Sequence, residues 1–160
     1  MKLHEALRQK WILAAIAVMS ASTLQAQREM KTINDSWEFR KPTETEWKMV
    51  NLPHTYNLDA YQQPNYYQGK GIYRRTLTLP EVIPHRRYYL KIDAASKAAE
   101  VRVNGKEIGS HAGGYTAFIF DITPYIQKEN VIEITVDNSR KDITPISADF
   151  TFWGGIYRDV

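Results

Sequence analysis

The segment Glu100-Val101-Arg102-Val103-Asn104-Gly105-Lys106-Glu107-Ile108-Gly109 decides the fold class. Val101 and Val103 alternate with charged residues, so an extended chain here has one apolar and one polar face. Asn104-Gly105 then interrupts the run, and Ile108 resumes it. A two-residue type I′ turn needs φ > 0 at both central positions, and Asn-Gly meets that need at little steric cost. The spacing predicts a β-hairpin.

Outward from that hairpin the same period of two recurs. Tyr88-Tyr89-Leu90-Lys91-Ile92 and Val131-Ile132-Glu133-Ile134-Thr135-Val136 alternate with β-branched and aromatic residues. Gly71-Ile72-Tyr73-Arg74-Arg75-Thr76-Leu77-Thr78-Leu79 reads as a longer strand stopped by Pro80, and Ala117-Phe118-Ile119-Phe120-Asp121 as a further one. Only Thr123-Pro124-Tyr125-Ile126 suggests a helical turn, with Thr123 as N-cap and Pro124 at N1. Short strands between turns, with no long amphipathic helix, indicate an antiparallel sandwich or barrel. No repeat and no Pro/Gly/Ser-rich linker divides residues 27–160, so one domain is expected there.

The composition agrees: 160 residues, 43% apolar, 24% charged and 12% aromatic, which argues against disorder and against several domains. Ten Tyr and four Trp suit both strands and sugar-stacking surfaces. The net charge of +3 carries little meaning for nucleic acid, because the first 26 residues contribute two of those charges. Later Lys and Arg alternate with acids and form no basic stripe, so no nucleic-acid partner is expected.

Residues 1–26 read as a secretory signal. A basic stretch ends at Lys10, an apolar run spans Trp11 to Met19, and Ser20-Ala21-Ser22-Thr23-Leu24-Gln25-Ala26 supplies small residues, with Ala26 able to occupy the −1 site. The apolar run is well short of the ~20 residues a membrane span needs. The expectation is export, periplasmic or extracellular in a bacterium, with no membrane association after cleavage. With no cysteine the fold has no disulfide to support it in an oxidising compartment.

Most catalytic chemistries find no pattern here. His4, His54, His85 and His111 are far apart and form no HxH or HExxH motif, so no metal site is expected, and the last three read as turn or surface residues. Gly113-Gly114 is a bare pair rather than a phosphate loop, and no GxSxG elbow is present. Glycoside cleavage with retention needs two carboxylates roughly 5–5.5 Å apart. Asp93, Asp121, Asp137 and Asp149 are candidates, but acids on β domains are more commonly solvated or cap turns. Asp149 stands out because Phe150-Thr151-Phe152-Trp153 and a Gly-Gly pair follow it. A carboxylate beside a Trp ring suits sugar recognition, since its oxygens accept hydroxyl protons while the ring covers a pyranose face. Equally, Phe150, Phe152 and Trp153 belong in a core and Asp149 caps a turn. Both readings stand.

Several segments in order resemble the N-terminal domain of glycoside hydrolase family 2, the β-galactosidase and β-glucuronidase family. They are Trp37-Glu38-Phe39, Val50-Asn51-Leu52-Pro53-His54-Thr55-Tyr56-Asn57, Tyr66-Tyr67-Gln68-Gly69-Lys70-Gly71-Ile72-Tyr73-Arg74-Arg75, Val101 through Thr116 with its Asn-Gly and His-Ala-Gly-Gly-Tyr pieces, and Asp149 through Val160. The resemblance implies a jelly-roll β-sandwich of the galactose-binding type over 27–160, truncated at its C-terminal end. It implies partner domains, an immunoglobulin-like sandwich and a TIM barrel, and places both catalytic glutamates beyond Val160. No catalytic residue is therefore assigned within the chain, and no cofactor. A cation near the sugar site belongs to what the resemblance implies for the full enzyme. The acid before the aromatic-Gly-Ile-Tyr-Arg-Asp-Val stretch contacts the terminal sugar or that cation, and it matches Asp149. The Tyr66–Gly69 loop is the second approach, so Tyr67 and Gln68 join Asp149 as substrate-binding candidates. Relatives often carry a basic residue where this sequence has Gln68, whose amide offers an acidic sugar no charge-assisted contact.

The reading is an exported sugar-binding domain, part of a hydrolase of β-galactosides or related β-glycosides and inactive alone. A stand-alone carbohydrate-binding module is the first alternative, and a purely structural interaction domain the second.

Overall fold

Two nine-residue strands form the spine of the fold, β3 (Lys70–Thr78) and β9 (Glu129–Asp137), paired antiparallel from Lys70↔Asp137 to Thr78↔Glu129. The computed structural model describes residues 28–145 and 148–160; the expected signal over 1–26 lies outside them. Thr32–Val160 make one compact unit, and residues up to Lys31 belong to another, whose described part holds an exposed ion pair between Lys31 and Glu29.

Around the spine lie β1 (Trp37–Arg40), β2 (Lys48–Val50), β6 (Ala98–Val103) and β7 (Lys106–Ala112), in the sheet order β2-β1-β3-β9-β6-β7. Two short ladders complete the described strands: β4 (Tyr89–Ile92) with β8 (Phe118–Asp121), and β5 (Ala95–Ser96) with β10 (Gly155–Ile156). Every pairing is antiparallel. The all-β expectation holds. Each strand read from the alternation is present, within one to three residues of its expected ends.

The alternation also fixes which faces meet. Tyr73, Val101, Val103, Ile132, Ile134 and Val136 from the large sheet pack in one cluster with Leu90, Ile92, Phe118, Ala95 and Ile156 from the short ladders. Burying each large apolar side chain contributes roughly 1.5–3 kcal/mol. The hairpin turn is as expected, with Asn104 at φ 52° and Gly105 at φ 75°. Asn104 does more than turn the chain. Its amide nitrogen donates to the Tyr125 carbonyl and to Asn130 Oδ1, and its Oδ1 accepts from the Val131 N–H.

Two sequence expectations are corrected. The helical turn is a 3-10 turn over Thr123–Tyr125, and its N-cap is Ile122 rather than Thr123. The Thr123 hydroxyl is taken by the neighbouring strand end, accepting from the Tyr88 N–H at 2.8 Å and donating to the Tyr88 carbonyl at 3.3 Å. His54 is no surface residue. Its ring sits half-buried against Phe39, its Nδ1 is 2.8 Å from the Tyr73 hydroxyl, and burial lowers its pKa. His85 is exposed with a positive φ, and His111 stacks on Phe118 at 4.3 Å.

Candidate sugar-binding site

The two segments expected to approach a sugar are tied to each other by buried amides. The 66–69 loop runs into β3, and the segment 148–153 runs into β10, which adds no long ladder of its own. Phe152 links them: its N–H donates to the Tyr66 hydroxyl at 2.8 Å. Asn138, at the end of β9, donates to the Phe152 carbonyl at 3.0 Å and accepts the Gly69 N–H at 2.8 Å. Asn57 donates to the same carbonyl at 2.9 Å and accepts from the Gly154 N–H at 2.9 Å and the Thr55 hydroxyl at 3.0 Å. Both asparagines are fully buried, and a buried amide is tolerated only when bonded in this way. At Gly155 the backbone has φ 138°, and a Cβ would collide with the His54 carbonyl oxygen. Only glycine lets the chain pass there.

The candidate residues take up different positions. Tyr67 is used by the fold: its hydroxyl donates to the Lys70 carbonyl, its N–H to Asp59, and its ring lies edge-on to Tyr56 with the Lys41 ammonium 4.3 Å above it. Gln68 is half-buried beside it. Asp149 is exposed, and Phe150 after it is 60% exposed, whereas Phe152 is 8% exposed and belongs to the interior. The core reading of that segment thus holds for Phe152 and not for Phe150.

Beside these loops lies a groove of about 330 Å³, within the range of small-ligand sites. Its walls are aromatic. Tyr61 and Trp153 pair with ring centroids 5.0 Å apart, and Tyr115 and Tyr157 line it with Gly114, whose carbonyl accepts the Tyr157 hydroxyl. Tyr61 and Tyr115 are 78% and 72% exposed. Thr55, Ser96, Lys97, Thr144 and Thr151 supply its polar groups, and among the described residues no carboxylate lines it. Asp149, Gln68 and Tyr67 lie outside that lining. Aromatic faces among hydroxyls suit pyranose rings, which present apolar C–H faces and polar edges.

The chain matches the family described as glycosyl hydrolases family 2, sugar binding domain, over residues 4–160. It belongs to that family. A β-glucuronidase of Bacteroides fragilis is 39% identical to this sugar-binding domain over 145 residues, covering 86% of the chain and 21% of the relative. A β-galactosidase of Thermoanaerobacter pseudethanolicus is 35% identical over 136 residues, covering 80% and 18%. A crystal structure of Bacteroides uniformis β-glucuronidase superposes with a TM-score of 0.78 at 50% identity, covering 83% of the chain and 17% of that structure. The domain spans about a fifth of the length of the curated relatives it matches.

Asn57, Asn138 and Lys97, like the groove tyrosines Tyr61 and Tyr115, were absent from the sequence candidates. Asn57 stands inside a motif quoted for the family, and Asn138 follows a strand end, but an isolated Asn reads as a turn former. Lys97 left a stronger trace: it is the one cation in the small-residue run Ala94-Ala95-Ser96-Lys97-Ala98-Ala99.

Proposed function

We propose that this domain frames the terminal sugar of a β-glycoside within a family 2 glycosidase, while the catalytic glutamates are supplied by a barrel domain of the same enzyme. One observation carries the reading. The two loops expected to reach the sugar are joined through the Phe152 backbone, beside a groove walled by Tyr61, Trp153, Tyr115 and Tyr157. Asp149 would accept sugar hydroxyls, Gln68 and the Tyr67 loop would form the facing side, and the rings would cover apolar sugar faces. The two-layer packing supports the jelly-roll assignment, and the leader over 1–26 supports export. Matches to both β-glucuronidases and β-galactosidases keep neutral and acidic sugars as candidate substrates.

The test is titration of the 160-residue chain with methyl β-D-galactopyranoside and methyl β-D-glucuronide, followed by NMR. One wall of a pocket gives few desolvated contacts, so Kd on the order of 1 mM is expected. Shifts should centre on residues 149–153 and weaken in Asp149→Ala and Trp153→Ala. Absence of any shift there at saturating sugar would overturn the reading. Micromolar binding lost in Asp149→Ala would favour the stand-alone module.

A further inference from the structure

Lys97 is 2% exposed, although Lys is almost never fully buried without partners. Its backbone is fixed on both sides, the N–H donating to the Asp137 carbonyl and the carbonyl accepting from the Gly113 N–H. The side chain projects from that rigid root to a stretch of chain outside the strands. Its ammonium donates to the carbonyls of Pro145 at 2.7 Å and Thr144 at 3.3 Å, and sits 4.5 Å above the ring of Phe152. One cation therefore grips both ends of the segment that carries Asp149.

An apolar side chain of similar volume would fill the same space without the cost of desolvating a charge. What Met could not do is hold two backbone carbonyls. Burial lowers the Lys97 pKa, and the charge of Asp137 opposes that shift. Among the described residues, the backbone of the segment is otherwise held by two long bonds of 3.4 Å to the Arg140 carbonyl and by the Phe152 bonds to Tyr66, Asn57 and Asn138.

We propose that Lys97 is a positioning residue that fixes the Asp149-bearing segment, and with it the floor of the aromatic groove, for sugar contact. Its value for binding rests on the sugar-framing reading; its grip on the segment does not.

Amide hydrogen exchange on the 160-residue chain separates the two. In Lys97→Met, amides of residues 148–153 should exchange about tenfold faster, while those of β3 and β9 stay within about twofold of the parent. Lys97→Arg keeps a cation with donors for the carbonyls, so the same amides should stay within about threefold of the parent, whether or not the Met variant folds. Acceleration spread evenly over the domain in either variant would mark a general structural role and overturn the proposal. So would an unchanged segment in Lys97→Met. Methyl β-D-galactopyranoside and methyl β-D-glucuronide, titrated in parallel, should bind Lys97→Met several-fold more weakly than the parent. If the parent binds neither sugar, the sugar-framing reading fails, and exchange alone still decides the role of Lys97.

Discussion

Asn57 and Asn138 donate to one acceptor, the carbonyl oxygen of Phe152, at 2.9 and 3.0 Å. The two amides come from different parts of the chain, one after the His54 loop and one at the end of β9, and meet at the start of the Phe152–Gly155 passage. A carbonyl has two acceptor lone pairs, and here both are used by buried donors. Removing either amide leaves the oxygen with one partner and also strips an acceptor from Gly154 or Gly69.

Asn57→Ala and Asn138→Ala should each cost about 2 kcal/mol, the penalty for leaving a buried polar group unmet. The double variant leaves the Phe152 carbonyl without either amide, so it should cost about 1 kcal/mol more than the two single losses together. Urea denaturation of the four chains measures this directly. Simple additivity would show that the shared acceptor does not couple them.

Gly105 and Asn104 separate backbone strain from side-chain bonding at the hairpin. A Cβ at Gly105 meets nothing within 4 Å, so Gly105→Ala tests the positive φ alone and should cost about 1 kcal/mol. Asn104→Ala loses the same left-handed tolerance and also the bonds to Tyr125, Asn130 and Val131. It should therefore be the more destabilising of the two in equilibrium unfolding. The reverse order would mean that those bonds contribute nothing net.

The contrast between these two regions shows what a sequence displays and what it hides. The hairpin, β3 and β9 were legible because a period of two and an Asn-Gly pair act locally, on residues adjacent in the chain. Asn57, Asn138 and Phe152 are 57, 138 and 152 in sequence but share one acceptor, and no local pattern records that meeting. The same applies to Lys97, whose partners lie 47 and 48 residues away. Phe150 and Phe152 have the same residue type and similar neighbours, yet one is exposed and the other buried, because the groups that hold Phe152 (Tyr66, Asn57, Asn138 and Lys97) are all distant in the chain. Gln68 became a candidate only through the family resemblance, whereas Asp149 also stood out by the aromatic run that follows it.

His54 should give the domain an acid-sensitive component of stability. Burial lowers its pKa in the folded state from 6.5, so between the folded value and 6.5 the unfolded chain binds a proton that the folded chain does not. This contribution is full above pH 6.5 and is lost as pH falls through the folded pKa. The melting temperature of the parent should therefore drop on acidification from pH 7 to pH 5, about the range in which histidine changes charge. His54→Phe keeps the ring packing against Phe39 but cannot titrate, so its melting curve should be flatter across that interval even if its stability at pH 7 is lower. Parallel pH profiles in the two chains would exclude His54 as the source.

Hydrolysis of a glycoside turns on carboxylates. A retaining glycosidase holds two of them roughly 5–5.5 Å apart, in surroundings that push their pKa values in opposite directions. The groove beside the 66–69 and 148–153 segments has Thr, Ser, Lys and aromatic groups along it and, among the described residues, no Asp or Glu. Asp149 is exposed and lies outside that lining, so it forms no carboxylate pair there. The purified 160-residue chain should therefore release no 4-nitrophenol above the buffer rate from 4-nitrophenyl β-D-galactopyranoside or β-D-glucuronide. Asp149→Asn should leave that null rate unchanged while weakening sugar binding. Turnover in the parent that vanishes in Asp149→Asn, with contaminating enzyme excluded by repurification, would place a working active site within this domain and contradict a framing role.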